Sequence, residues 1–396
     1  MEVYQNKSQC SGCTACMNSC PVNAITMVAD QEGFKYPQID ETICTECDLC
    51  QKICPFHEGY SKEMNLQTPK VYAVKHIDDD IRIASSSGGM FTALSDYVLE
   101  KHGVVYGAAF DDNFRVCHQK AETAQGRDKF RGSKYVQSDL GNIFQDVKAE
   151  LDRDRDVLFT GTPCQIAGLR SYLEKKKYDR LILCDLVCLG TPSPLIWKDY
   201  VALLEGAKGR SLQGFNFRDK GNGWHTSRLY AQFMDGTTLC NNPLLDSFNS
   251  IFYQHIALRP SCHMCIFTNF ARPSDITMAD FWGIENSKPE FDDDKGVSLV
   301  LINTKKGEAV FEKIKTGLVY EISTMDECRQ RHLTVPAEPS PNRDGFWNDY
   351  YECGFEYVAK KYTEYGLRNR VKQRVLKPIL AKVGILEIAR SLLRRK

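Results

Sequence analysis

No run of eighteen or more apolar residues occurs in the 396-residue chain, so no membrane-spanning helix is expected. The opening segment, MEVYQNKSQC, lacks the apolar stretch of an export signal, and a cytoplasmic location is expected. Net charge is absent as well, because 51 Lys and Arg balance 51 Asp and Glu. Nucleic acid is not among the expected partners. The balance is uneven along the chain. From Arg368 onward ten basic residues accompany one acid, Glu387, which leaves the preceding part mildly acidic. Residues 376–395 carry an amphipathic pattern (Ile379, Leu380, Val383, Leu386, Ile388, Leu392, Leu393) with Lys and Arg on much of the other face. Such a segment suits peripheral contact with an anionic membrane surface, and equally a helix packed on its own domain or on a partner.

Cysteine, in contrast, is abundant, with seventeen residues. In a short secreted chain that would mean disulfides; in a long chain without an export signal it means metal sites or catalysis. Their placement is more telling than their number. Cys10-x2-Cys13-x2-Cys16-x3-Cys20-Pro21 is followed by Cys44-x2-Cys47-x2-Cys50-x3-Cys54-Pro55, each second cysteine 34 residues after its counterpart. The two halves form an internal duplication, each too small to fold alone. Three closely spaced thiolates grip three irons of a cubane, and the cysteine before proline ligates the other cluster. Cys10, Cys13, Cys16 and Cys54 are therefore expected to hold one four-iron cluster, and Cys44, Cys47, Cys50 and Cys20 a second. Zinc sites use two separated cysteine pairs instead. The pattern resembles bacterial two-cluster ferredoxins over residues 1–58, with a hairpin expected from 24–29 and 34–39.

Residues 59–69 are polar and turn-rich and read as a linker. Beyond them apolar runs at 71–75, 104–110, 157–160 and 181–187 read as strands, and 89–100, 143–151 and 165–173 as helices. Strands are also expected within 211–240, at 276–281 and at 297–303. The fold class is a ferredoxin-like domain followed by a mixed α/β domain over 70–340, with a helical basic tail at 341–396.

Several loops carry chemistry. Ser85-Ser86-Ser87-Gly88-Gly89 lies between a strand and a helix, where backbone N–H groups meet phosphates, although a plain serine cap explains it too. Gly132-Ser133-Lys134-Tyr135 adds a cation and hydroxyls. Gly161-Thr162-Pro163-Cys164 follows a buried strand, in the position where α/β folds place ligands. Cys164, Cys188 and the pair Cys262-x2-Cys265, preceded by Arg259-Pro260, make four thiols, enough for a third cluster. Cys184 reads as a core residue, and Cys117, Cys240, Cys328 and Cys353 as structural or incidental. The polar, glycine-rich segment with Lys220, Trp224 and His225 reads as a substrate-side loop or a plain hairpin.

Taken together, SSSGGMFTAL, GSKYVQS, GTPCQIAGL, the segment from Cys188 to Ser193, RPSCHMC and ADFWG resemble the family of coenzyme F-420 hydrogenase/dehydrogenase beta subunits, which also takes in plant 7-hydroxymethyl chlorophyll reductase. Six ordered motifs carry the resemblance, over residues 70–340. It implies FAD beside a four-iron cluster ligated by Cys164, Cys188, Cys262 and Cys265. It implies flavin contacts from Ser86, Ser87, Gly88, Gly89, Ser133, Lys134 and Tyr135, with Gly161 and Thr162 in the neighbouring motif. Met278-Ala279-Asp280 departs from the glycine that many relatives carry before the aspartate.

The expected function is a ferredoxin-linked flavoprotein reductase of an anaerobe. Clusters move single electrons and a flavin delivers them in pairs. Lys134, Lys220 and His225 are its candidate catalytic residues, and a small-molecule, sugar-linked or lipid-linked compound its substrate. The alternative is an electron-transfer subunit that uses coenzyme F-420 and feeds a partner hydrogenase or dehydrogenase.

Overall fold

The computed structural model describes residues 3–57, 59–173, 176 and 178–371; the amphipathic segment 376–395 lies outside the described residues. The chain divides into two compact units. The first comprises Met1–Leu195, Asn216–Arg228 and Leu258–Glu338, and the second Ile196–Phe215, Leu229–Ala257 and Pro339–Lys396.

The cysteine repeat opens the first unit. Strands β1 (Ile25–Ala29) and β2 (Lys35–Ile39) pair antiparallel, as expected for the hairpin. Asp30 closes their turn by accepting from the N–H groups of Glu32 and Phe34. Gly33 in that turn has φ +81°, and a Cβ there would lie 2.3 Å from Cβ of Leu195, so only glycine fits.

Then come β3 (Asn65–His76), β4 (Val104–Phe110), β5 (Val116–Ala121), β6 (Val157–Gly161) and β7 (Leu181–Leu186). After β8 (Leu212–Asp219), β9 (Arg228–Phe233) and β10 (Thr238–Cys240) follow β11 (Ile276–Asp280), β12 (Ser298–Thr304) and β13 (Leu318–Ser323). An eight-stranded mixed sheet has the order β13-β3-β12-β11-β7-β6-β4-β5, and a separate three-stranded sheet the order β10-β9-β8. Strands β4, β6, β7 and β11 run parallel. All residues of β6 and β12 are buried, which explains why they read as unbroken apolar runs.

Alternate side chains of the large sheet serve two layers. Val105, Leu158 and Ile182 meet Met90, Leu94 and Val98 of the helix Met90–Leu99 and Phe311 of the helix Lys305–Ile314. Tyr106, Phe159 and Leu183 meet Phe144 and Val147 of the helix Ile143–Asp152 and Ile166 and Leu169 of the helix Pro163–Tyr172. Each such buried side chain contributes roughly 1.5–3 kcal/mol. Ala15 and Ile53 of the cysteine repeat join this second layer.

Two boundaries differ from expectation. The chain is strand from Asn65, not linker to 69, because Asn65 is paired with Thr304 of β12. The expected 70–340 domain is interrupted, and the tail does not stand alone. The second unit has its own aromatic core of Trp197, Tyr200, Phe215 and Phe248 with Phe355 from the helix Arg343–Tyr362, which kinks at Gly354. Among the described residues no helix is long and apolar enough to cross a membrane.

Candidate metal centres and the sheet edge beside them

The repeat folds each half alike. Gly12 and Thr14 adopt left-handed backbone, and so do Glu46 and Asp48, their counterparts 34 residues on. A left-handed residue between successive cysteines curls the chain around a centre, which explains how such short spacing brings three thiols inward. One cavity is lined by Cys10, Cys13, Cys16 and Cys54, the other by Cys20, Cys44, Cys47 and Cys50. Apolar side chains complete both: Val3 and Met27 in the first, Val22, Ile25, Ile39 and Leu49 in the second.

Burial, then the charge of Cys54, pushes the Cys13 thiol up to about 12. Burial also raises Cys16 and Cys54. Four thiolates cannot share a dry cavity unless a cation is there, so the donor set fits an iron cluster whose binding releases protons. The second set lies nearer the surface, with Cys47 exposed.

A further four thiols meet in the same unit. Cys164 opens the helix Pro163–Tyr172, whose N-terminus is fixed by a reciprocal cap between Thr162 and Gln165. Cys188 follows β7, and Cys262 and Cys265 sit on the turn Pro260–Met264 and just after it. Burial is the main cause that raises Cys188, followed by the charges of Cys262, Cys164 and Cys265. Cys265 is pushed up to about 12 in the same way, by burial and then by Cys164 and Cys262. This set also fits a cluster.

Buried Arg272 ties the loop after Cys265 to the end of β7. It donates to the carbonyls of Phe267 and Leu186, both at 2.8 Å, and pairs with buried Asp185 at 3.2 Å. The third set adjoins the first. Gly168 lies one turn beyond Cys164, and a Cβ there would be 2.8 Å from Cβ and 2.9 Å from Sγ of Cys13. Phe267 packs between Phe56 and Tyr60, with ring centroids at 5.7 and 5.1 Å.

The proposed flavin loops gather at the edge where the parallel strands end. The Ser133 N–H donates to Ser86 Oγ at 2.8 Å, which joins two of the motifs. Ser87 donates to the Val297 carbonyl at 2.7 Å, and Tyr135 packs on Phe217 at 5.3 Å. Gly89, at φ +91°, opens the helix Met90–Leu99. The Gly88 N–H donates to Ser298 Oγ and the Thr162 N–H to Gln165 Oε1, both at 2.9 Å, so both amides have acceptors within the protein. Gly161 ends β6 opposite Asp185.

The candidate catalytic residues have other employment. The Lys220 ammonium donates to the carbonyls of Arg82, Ser87 and Lys295 at 2.7, 2.7 and 2.8 Å, bolting three loops together. Burial pulls its pKa to about 7. Lys134 donates to the carbonyls of Lys129 and Arg131 at 2.7 and 2.9 Å, and burial pulls it also to about 7. Trp224 is fully buried, not on a substrate side; its indole N–H donates to Asp280 at 3.0 Å and its ring stacks on Trp282 at 5.0 Å. His225 Nε2 lies 2.7 Å from Asp292 Oδ2, and the ligand atoms of His225, Asp292 and Glu285 fall within 4.8 Å of one another. Glu285 and Asp292 were invisible in the sequence, where no spacing links them to His225. Cys184 is a fully buried core residue, as expected.

A twin-cavity cysteine module packed against a mixed sheet defines an iron–sulfur electron-transfer protein. Residues 9–57 match the 4Fe-4S dicluster domain. Residues 154–327 match the family described as the C terminus of the coenzyme F420 hydrogenase/dehydrogenase beta subunit.

Among curated relatives, the F subunit of F(420)H(2) dehydrogenase from Methanosarcina mazei is 22% identical over 197 residues, covering 48% of this chain and 55% of its own. Coenzyme F420 hydrogenase subunit beta of Methanococcus voltae is 24% identical over 262 residues, 64% of this chain and 83% of its own. Coenzyme F420-dependent sulfite reductase of Methanocaldococcus jannaschii is 22% identical over 373 residues, 92% of this chain and 56% of its own. The chain thus spans about half the length of the first and third of these. A chain of the F420-reducing NiFe hydrogenase complex from Methanosarcina barkeri aligns over 76% of this chain and 92% of its own, with TM-score 0.45 and 18% identity.

Proposed function

We propose that the chain is an iron–sulfur flavoprotein oxidoreductase in which Cys10, Cys13, Cys16 and Cys54 hold one four-iron cluster, Cys20, Cys44, Cys47 and Cys50 a second, and Cys164, Cys188, Cys262 and Cys265 a third. The observation that carries this reading is the crossed grouping of the eight repeat thiols in two cavities, with Cys13 packed against the Gly168 turn of the helix that Cys164 opens. Bound clusters supply one-electron transfer, and an FAD near Ser86, Ser87, Gly89, Ser133, Lys134 and Tyr135 would supply its coupling to two-electron chemistry. The chain's own residues position these groups. Arg272 holds the Cys265 loop on β7, Lys220 fixes the serine loop, and Phe267, two residues after Cys265, packs on Tyr60 and on Phe56, which lines the first cavity. In this reading the protein is cytoplasmic, with the basic segment from Arg368 as an anionic-surface contact, and its substrate is a small, sugar-linked or lipid-linked molecule.

A second reading, supported about equally by the relatives' names, is an electron-transfer subunit that uses coenzyme F-420 and serves a partner hydrogenase or dehydrogenase. Anaerobic purification with iron, sulfide and flavin analysis tests the first reading. Three clusters require about 12 irons per chain and two about 8. Cys164→Ala is expected to remove about 4; an unchanged count removes the third cluster from the proposal, and absence of any flavin removes the reductase. Bleaching of the deazaflavin absorbance by the purified chain selects the second reading.

A further inference from the structure

Arg259 stands three residues before Cys262 and is only 1% exposed. Its guanidinium reaches the first thiol set. Nε donates to the Cys10 carbonyl at 2.7 Å, and Nη2 lies 3.6 Å from Cys10 Sγ as a donor to that sulfur. Nη2 also donates to the Lys35 carbonyl, and Nη1 to Gln137 Oε1, both at 3.0 Å. Gln137 in turn donates to the Ser11 carbonyl at 2.9 Å. The guanidinium lies 4.2 Å from the centre of the Tyr36 ring. Room for it is made by Gly12, where a Cβ would come within 2.9 Å of Nη1. Its backbone is held in place too, since the Arg259 N–H donates to the Thr191 carbonyl and its carbonyl accepts from the Cys262 N–H.

Among the described residues none of these hydrogen-bond partners is a carboxylate. A buried cation without an anionic partner is costly, and a cluster wrapped by four thiolates is the anion within its reach. The second thiol set sits in the opposite surroundings: residues 40–48 contain Asp40, Glu41, Glu46 and Asp48 and no Lys or Arg. Positive charge and N–H donors at the ligand sulfur favour the reduced, more negative cluster.

We propose that Arg259 is the counter-cation of the first cluster, raising its reduction potential relative to the second and so holding the electron on the side that adjoins Cys164. This rests on the ligand assignment above. Arg259 is a positioning and tuning residue that acts through Cys10, not one that touches substrate.

The test is anaerobic redox titration of the full chain followed by electron paramagnetic resonance, with iron content measured on each sample. Cys10→Ser and Cys44→Ser first assign one signal to each set; if Cys10→Ser alters no signal, the ligand assignment fails rather than the role of Arg259. In the neutral variants Arg259→Gln and Arg259→Met the electron-sharing equilibrium between first and second clusters is expected to shift at least tenfold toward the second, a change of about 59 mV. The second cluster's own potential stays fixed, and Arg259→Lys restores most of the shift. Full iron with unmoved potentials, or equal shifts in both clusters, overturns the proposal. Loss of iron from both neutral variants makes Arg259 a structural clamp only and overturns it as well.

Discussion

Replacing Gly168 by alanine tests whether the helix that Cys164 opens is seated on the cysteine repeat. The added Cβ would lie 2.8 Å from Cβ and 2.9 Å from Sγ of Cys13, well inside the optimum of about 3.5–4.0 Å for such atoms. Overpacking of this kind costs about 1–3 kcal/mol. Against it stands the helix preference of alanine over glycine, about 0.8–1.0 kcal/mol. The net expectation is a loss of about 1 kcal/mol. Gly206 provides the control. It lies in the helix Pro194–Lys208, and a Cβ there would meet nothing within 4 Å, so Gly206→Ala is expected to gain up to about 1 kcal/mol. Anaerobic urea unfolding, followed by circular dichroism and by the cluster absorbance, reads both variants. Gly168→Ala should also release iron at lower urea than the wild type, because the strain falls on Cys13. Equal gains in stability by both variants, with iron release unchanged, would refute the seating of that helix on the repeat.

Arg272→Met leaves Asp185, fully buried, without its cation, and a loss of about 3–5 kcal/mol is expected. Burial already raises the pKa of Asp185, so this loss should deepen as pH rises above the ordinary aspartate range. The double variant with Asp185→Leu should recover most of it in the same unfolding assay, and failure to recover would place the effect elsewhere. His118, buried between Ser138 and the Thr160 carbonyl, has its pKa lowered by burial to about 4. The unfolded chain therefore takes up the proton first. This contribution is intact above about pH 6.5 and is lost as pH falls toward 4, by about 3 kcal/mol in all. His118→Gln should flatten the pH dependence of the urea midpoint between 7 and 4; parallel curves would count against it.

Much of the large sheet was legible because its central strands are buried on both faces. A strand such as β12, SLVLINT, then reads as one apolar run. The edge strands were not legible. Both lie at the ends of the sheet: in β5, VCHQKA, polar residues occupy half of the positions, and in β13, LVYEIS, the four central residues are exposed, so neither reads as a buried apolar run. The start of β3 was taken for linker because its first residues are polar and partly exposed, although the ladder to β12 decides their conformation. Lys220 and Trp224 looked chemical in a glycine-rich loop. Their surroundings, three carbonyls and an aspartate, come from segments distant in sequence. Arg259 showed only as an Arg-Pro pair before a cysteine motif.

By itself the sequence determined the cysteine module. Three thiols within seven residues can converge only on a centre beside their own loop, and the duplication at 34 residues repeats that loop. Only the tertiary structure decided what the module is joined to. Cys164, Cys188, Cys262 and Cys265 converge through the ends of β6 and β7 and the Arg272 ties, and the absence of a side chain at Gly168 lets that group approach Cys13. Spacing along a chain governs contacts within a loop. Contacts between loops depend on strand order and packing, which no local pattern encodes.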